Sequence, residues 1–205
     1  DYDKIGQIIK AKGNIKIENL EDDIEIFGDE LTYFIKKELI VLNNNIKINF
    51  EKNLFLNTEE IIYDKKNKQI SINNISKFED KFGNKVSSKE SKFLLDKKLL
   101  KLKSVKMIDE LYNEYHFSNA IVDFKKNEII DDEIKIDFFK GSFGNKENDP
   151  RLRGNYLLGD NNQSIIKKGV FTTCKKNSDK CPPWKFRAEE IKHDKSKQTI
   201  YYKNA

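Results

Sequence analysis

Cys174 and Cys181 are the two cysteines of this 205-residue chain. They flank a polar stretch, Lys175 to Lys180, and lead into Pro182-Pro183-Trp184. Three readings of the pair stand side by side: buried reduced thiols, a local disulfide closing the loop, or separate disulfides to cysteines elsewhere. The polar loop argues against burial, and either disulfide reading fits an oxidising compartment. Closing so short a loop would add roughly 2–3 kcal/mol in the chain-entropy account. A zinc site fits poorly, because two cysteines without a nearby histidine pair cannot complete a tetrahedron. The histidines are His116 and His193. His193 occupies the place that Tyr63 holds in another copy of a sequence repeat, which gives it a strand slot and not a catalytic one. Gly141-Ser142-Phe143-Gly144 lacks the spacing of a phosphate loop and the helix that would follow it. There is no nucleophile elbow, and nothing singles out an acid–base pair among the many carboxylates. The expectation is a protein that is not an enzyme and holds no metal or cofactor.

Charged residues make up 36% of the chain and apolar residues 37%, but Ile, Leu and Phe recur throughout, so a packed core is expected. No apolar run approaches the roughly 18–20 residues of a membrane-spanning helix. The longest is Leu39-Ile40-Val41-Leu42. The first residues, Asp1-Tyr2-Asp3-Lys4, carry no apolar signal core, so a soluble chain, cytosolic or already processed, is expected. The net charge of +5 is spread along the chain. Lysines sit beside acids, as in Asp64-Lys65-Lys66 and Asp96-Lys97-Lys98, where a nucleic-acid binder would concentrate them on one face among stacking aromatics. No nucleic-acid partner is expected.

The elements that position these residues follow from an internal repeat. Glu30-Leu31-Thr32-Tyr33 through Ile40, Glu60-Ile61-Ile62-Tyr63 through Ile70, and Glu90-Ser91-Lys92-Phe93 through Leu100 succeed one another at an offset of 30 residues. Lys125-Lys126-Asn127 matches Lys65-Lys66-Asn67, and Glu190-Ile191 through Lys195 echoes Glu60-Ile61 through Lys65. A second element lies between these anchors: Gly13-Asn14-Ile15-Lys16-Ile17, Asn44-Asn45-Ile46-Lys47-Ile48, Lys103-Ser104-Val105-Lys106-Met107 and Asp132-Glu133-Ile134-Lys135-Ile136.

Within each unit the apolar residues alternate with Lys, Glu, Asn or Thr, the pattern of strands with one buried and one wet face. Lys97 to Leu111 and Leu157 to Lys168 fit strand or helix equally. Turns are expected at Asp22-Asp23, Lys36-Lys37, Lys65–Asn67, Lys97-Lys98 and Lys125–Asn127. The pattern predicts an all-β fold: an elongated, twisted β-jelly-roll with strands stacked in two sheets around an apolar groove. A single domain over 1–205 is expected, with an irregular loop insertion around 140–168, where Gly141, Gly144, Pro150, Gly154 and Gly159 break the rhythm.

The C-terminal third carries a resemblance. Gly169-Val170-Phe171-Thr172-Thr173-Cys174, Cys181-Pro182-Pro183-Trp184-Lys185-Phe186-Arg187-Ala188 and Tyr201-Tyr202-Lys203-Asn204-Ala205, with Asn148-Asp149-Pro150-Arg151-Leu152-Arg153-Gly154 upstream, resemble the LptD family of outer-membrane lipopolysaccharide-assembly proteins. The preceding repeats, with Ala11-Lys12-Gly13-Asn14-Ile15, resemble the OstA-like strand repeat that the family shares with periplasmic proteins of the same pathway. The resemblance implies the periplasmic domain, at the outer membrane of a Gram-negative bacterium. It would accept lipopolysaccharide from a periplasmic bridge of the same fold, docked by edge-strand addition. It would pass the lipid to a C-terminal β-barrel that this chain lacks and that an outer-membrane lipoprotein plugs. The family's periplasmic cysteines form disulfides with barrel cysteines, and Cys174 stands at the matching place. The expected groove lining is Ile15, Ile17, Ile24, Ile26, Leu31, Tyr33, Ile46, Ile48, Leu54, Leu56, Ile61, Tyr63, Val105, Met107, Ile134 and Ile136, with lysines at the rim to meet anionic head groups. The competing readings are a stand-alone bridge component and a β-helical carbohydrate-binding or carbohydrate-active protein.

Overall fold

The computed structural model describes all residues except 22, 51–52, 161, 177–182, 195 and 198. The expected turn at Asp22-Asp23 therefore lies partly outside the described residues, and Cys181 lies wholly outside them. The chain forms two compact units, Asp1–Leu102 and Lys103–Ala205. Both are all-β, and the ladders within each are antiparallel. Antiparallel ladders remove the β-helical alternative, whose coils pair in parallel.

The first unit contains β1 (Tyr2–Asp3), β2 (Ile8–Asn19), β3 (Ile24–Phe34), β4 (Leu39–Phe50), β5 (Leu54–Asp64), β6 (Gln69–Ile72), β7 (Ser76–Asp80), β8 (Lys85–Ser88), β9 (Glu90–Leu94) and the start of β10 (Leu99–Ile108). The repeated pair before each Ile-x-Ile marks a bend. The registers of β2, β3, β4 and β5 shift between Lys12 and Ile15, Phe27 and Glu30, and Asn43 and Ile46. The extra residues, Gly13-Asn14 and Asn44-Asn45, all have positive φ. Gly and Asn tolerate that conformation better than other residues, and a bulge there turns a long strand through a corner.

Beyond the corner each long strand belongs to two layers. Leu54–Asn57 of β5 pairs with β7, whereas Ile62–Asp64 pairs with β6. β6 continues to β9 and β7 to β8. The result is a two-layer jelly roll whose core residues alternate inward along every strand. Buried Ile26, Leu42, Ile46, Ile61, Ile70 and Ile72 lie between the layers.

The 30-residue period is also a period of turns. Residues 35–38, 65–68 and 95–98 are four-residue turns, each ending in a left-handed residue, Glu38, Lys68 and Lys98. Each closes with a bond from that residue's N–H to the first residue's carbonyl, at 3.1–3.3 Å. The turns also bond to one another: the Lys65 N–H donates to the Glu38 carbonyl at 3.0 Å and the Leu95 N–H to the Lys68 carbonyl at 2.9 Å. Stacked turns of this kind require the in-phase repeat, because each turn's exposed backbone is satisfied by the next.

The second unit contains the rest of β10, then β11 (Glu114–Asp123), β12 (Glu128–Asp131), β13 (Ile134–Asp137), β14 (Arg151–Gly154), β15 (Tyr156–Gly159), β16 (Gln163–Thr172), β17 (Phe186–Asp194) and β18 (Thr199–Lys203). It forks in the same way. β11 pairs with β13 through Glu114–Phe117 and with β12 through Ile121–Asp123. β14 and β15 then pair with the two halves of β16. The irregular insertion expected at 140–168 is thus shorter than read from the sequence: strands resume at Arg151. Gly141 and Gly144 lie in turns with positive φ, whereas Gly154 and Gly159 are strand residues at close contacts. A Cβ on Gly154 would lie 2.1 Å from the Ile166 side chain and 3.1 Å from the Lys167 carbonyl. Both segments of ambiguous period are strand, in β10 and in β15 and β16.

Candidate functional site

Inward side chains form ladders that cross each unit strand by strand. In the first unit one ladder runs Ile9, Tyr33, Ile40, Tyr63, Ile70 and Phe93. Exposure falls along it, from 38% at Ile9 through half-buried Tyr33 to 8% at Ile40 and 1% at Ile70. The ladder of the other layer runs Ile17, Ile26, Ile48, Leu56 and Phe78. Ile17 is half-buried and the rest are buried. The cause is geometric: an inner strand is covered by neighbours on both sides, whereas β2 is covered by β3 on one side only. On its other side β1 pairs just Ile8 and Ile9. Among the described residues no strand pairs the outer side of Ala11–Glu18, and apolar interior shows beside it.

The expected lining residues divide accordingly. Ile15, Ile17, Leu31, Tyr33 and Leu54 are half-buried, whereas Ile24, Ile26, Ile46, Ile48, Leu56, Ile61 and Tyr63 are buried. In the second unit Val105, Ile134 and Ile136 are buried and Met107 is half-buried. Phe50, Phe78 and Phe93 share this interior and were missed as lining residues. Their signal is the alternation Ser76-x-Phe78 and Ser91-x-Phe93, in which a serine takes an inward place.

The layers meet at both flanks of the first unit. On the corner side the Ser76 and Ser91 hydroxyls are hydrogen-bonded at 2.7 Å, and Thr58 donates to Asn74 at 2.6 Å. On the side of the stacked turns, side chains bridge the seam. Asn19 donates its amide to the Tyr63 hydroxyl at 3.1 Å, Phe50 packs on Phe93 with ring centroids 5.2 Å apart, and Lys68 pairs with Glu21 at 3.4 Å.

The second unit opens at its last strands. The ladder Tyr115, Ile136, Leu152, Phe171, Phe186 is buried up to Phe171 and 52% exposed at Phe186. Leu157, Ile166 and Ile191 are buried ahead of exposed Tyr202. β18 pairs β17 from Glu190 to Asp194 and leaves Phe186–Ala188 beyond its register. His193 pairs with Ser164 and Ile200 in β17, its ring perpendicular to Phe138 at 6.0 Å. Two polar groups are drawn into this interior. Burial pushes the Tyr115 hydroxyl well above its ordinary value, and the Asp109 carboxylate that accepts its hydrogen bond adds to the effect. Buried Asp131 is raised to about 6, first by desolvation and also by its neighbour Asp132.

Among the described residues Cys174 carries a free thiol, half-buried just past the end of β16. The Thr172 hydroxyl beside it holds the thiol below its ordinary value. Arg151 donates to the Cys174 carbonyl at 2.6 Å, and Lys176 binds Asp137 at 2.8 Å and Asp149 through its backbone N–H at 2.8 Å. These bonds strap the segment to β13 and β14. Among the described residues no three His, Cys, Asp or Glu side chains group as metal ligands would.

No protein-family profile matches the chain, and no curated protein matches it. LptH, the LptA-homologous periplasmic component of the lipopolysaccharide transport device of Pseudomonas aeruginosa, is similar over 50% of this chain and 77% of its own, with 15% identity and a TM-score of 0.42.

Proposed function

We propose that this chain is the periplasmic jelly-roll part of an LptD-like lipopolysaccharide-assembly protein. In this reading it accepts lipopolysaccharide from a periplasmic bridge of like fold and hands it toward an outer-membrane barrel closed by a lipoprotein plug. It carries its ligand and does not convert it. The observation that carries the reading is the exposure gradient: apolar ladders buried at their centres open at β2 in one unit and at β17 and β18 in the other, each beside strand backbone that no described strand pairs. Acyl chains transferred from water gain about 0.8 kcal/mol per buried methylene, so interior continuous with an open strand end is where they would enter. A partner jelly roll adding a strand along Ala11–Glu18 would extend the ladder that begins at Ile17 and cover Ile15 and Ile17. The Thr172-Thr173-Cys174 and Trp184 segments support an LptD-like protein over a stand-alone bridge.

The test is photo-crosslinking of the protein with lipopolysaccharide. Crosslinkers at Ile17 and Leu31 are expected to capture the lipid, those at Ile48 to do so less, and those at outward Lys47 and Lys77 not at all. Capture confined to Lys47 and Lys77 would overturn the reading.

A further inference from the structure

The stacked turns of the first unit carry a feature the ladders do not use. Lys36, Lys37, Lys66 and Lys97 occupy the middle of the three successive turns and Lys65 begins the second, and all five are exposed. Because the turns are hydrogen-bonded one to the next, these lysines form a stripe. Successive turns are two strands apart, so the cationic groups repeat at roughly 9–10 Å. The stripe borders apolar interior: the Lys65 ammonium lies 5.6 Å from the centroid of the Tyr33 ring and the Lys37 ammonium 5.9 Å from that of Phe34. Both rings are half-buried, and Tyr33 belongs to the inward ladder. Across the seam stand exposed Glu21 and Asp23, Glu21 paired with Lys68 at 3.4 Å, and exposed Lys81. Half-buried Tyr33 and Phe34 thus place apolar surface beside the stripe, toward the β2 edge where Ile9 is 38% exposed.

We infer that the lysine stripe binds the phosphate groups of an amphiphile whose acyl chains enter beside Tyr33. This rests on the carrier reading and specifies the head-group chemistry of its ligand. Two or more phosphates on one head group would meet lysines of adjacent turns, each contact being a charge-assisted hydrogen bond that a neutral sugar could not supply. With phosphates on the turns, the chains are directed inward past Tyr33.

The experiment compares two charge-reversed variants of equal net charge. One carries Lys36→Glu, Lys37→Glu, Lys65→Glu, Lys66→Glu and Lys97→Glu. The other carries Lys47→Glu, Lys77→Glu, Lys85→Glu, Lys92→Glu and Lys101→Glu, all on exposed outward positions of the same unit. Circular dichroism checks that both fold. Binding is measured to a bis-phosphorylated glycolipid, to its dephosphorylated counterpart and to inorganic tripolyphosphate. Reversal of the stripe is expected to weaken the phosphorylated glycolipid about tenfold, or about 1.4 kcal/mol, with the dephosphorylated lipid unaffected and the outward variant close to the parent. Equal losses in both variants would reduce the effect to net charge and overturn the site. Tripolyphosphate binding as tightly as the phosphorylated glycolipid would overturn the link to an amphiphile. A parent protein that binds both glycolipids equally overturns the stripe alone, whereas one that binds neither overturns the carrier reading and the stripe with it.

Discussion

The side-chain amide of Asn19 donates to the hydroxyl of Tyr63 at 3.1 Å, joining residues 44 positions apart that belong to opposite layers of the first unit. Asn19 lies at the end of β2 opposite Ile24, and Tyr63 lies in β5 between Ile40 and Ile70. With the Phe50–Phe93 and Lys68–Glu21 contacts, this bond closes the flank by side chains, whereas each layer is held internally by main-chain ladders. Side-chain contacts of this kind contribute about 1 kcal/mol each and part more readily than a ladder.

The seam has a measurable coupling. Tyr63→Phe removes the hydroxyl and keeps the ring, and is expected to cost about 1 kcal/mol. Asn19→Ala also removes the acceptor of the Glu21 N–H, so its cost alone overstates the seam. The double-mutant cycle isolates the pair, and a coupling of about 0.5–1 kcal/mol in urea unfolding is expected. Additive single costs would show that the bond does not hold the layers.

Gly154 is expected to be intolerant of any side chain. Alanine there would drive its Cβ to 2.1 Å from the Ile166 side chain, between two strands that cannot separate. Gly159→Ala meets its nearest atom at 3.3 Å. A loss of about 1–3 kcal/mol or more is expected for Gly154→Ala and a smaller one for Gly159→Ala, read as a difference in thermal midpoint. Equal midpoints would contradict the close pairing of β14 with β16.

Asp131 makes the second unit pH-sensitive. Its carboxyl accepts the Glu133 N–H at 2.7 Å through Oδ1, while Oδ2 has no partner among the described residues. With a folded value of about 6 against an ordinary 3.8, the folded state binds more protons than the unfolded state between those values. Stability is therefore expected to fall as pH rises from about 4 through 6, by roughly 1–3 kcal/mol. Asp131→Asn should flatten that slope in unfolding measured at several pH values. An unchanged slope would assign the dependence to other groups.

Two loops share one design and differ in one bond. Asp80 accepts from the Phe82 and Asn84 N–H groups and the Asn84 amide. Asp109 accepts from the Leu111 and Asn113 N–H groups, the Asn113 amide and also the Tyr115 hydroxyl. Asp80→Ala is expected to cost about 1–2 kcal/mol. Asp109→Ala should cost about 1 kcal/mol more, because it leaves a buried hydroxyl without its acceptor. Adding Tyr115→Phe to Asp109→Ala should recover part of that difference; no recovery would show that the hydroxyl finds another partner.

Much of this architecture was legible because its causes are local. Alternating Ile and Lys sets the faces of a strand whatever lies beside it. The Lys-Lys turns at 30-residue spacing and the Gly-Asn and Asn-Asn pairs before Ile-x-Ile mark turns and bulges through the conformations that short polar residues and glycine accept. The Asp-x-x-x-Asn loops at 80–84 and 109–113 have equally local causes, the aspartate accepting from backbone N–H groups two and four residues on. Gly154 and Gly159 misled, because a glycine that loosens a loop and one that admits a neighbouring strand look alike in one dimension.

Only the tertiary structure decided which apolar residues are sealed and which meet solvent. Ile17 and Ile48 are the same residue type in the same place of the repeat, but Ile17 lies on a strand with one neighbour and Ile48 on a strand with two. Exposure depends on the count of flanking strands, a long-range property that no window of sequence contains. The seam is similar: Asn19 meets Tyr63 and Phe50 meets Phe93 only once the layers have folded over one another. Sequence thus determined the repeating unit, through side-chain alternation and backbone preference. Folding determined where the stack ends, and therefore where its interior can be reached.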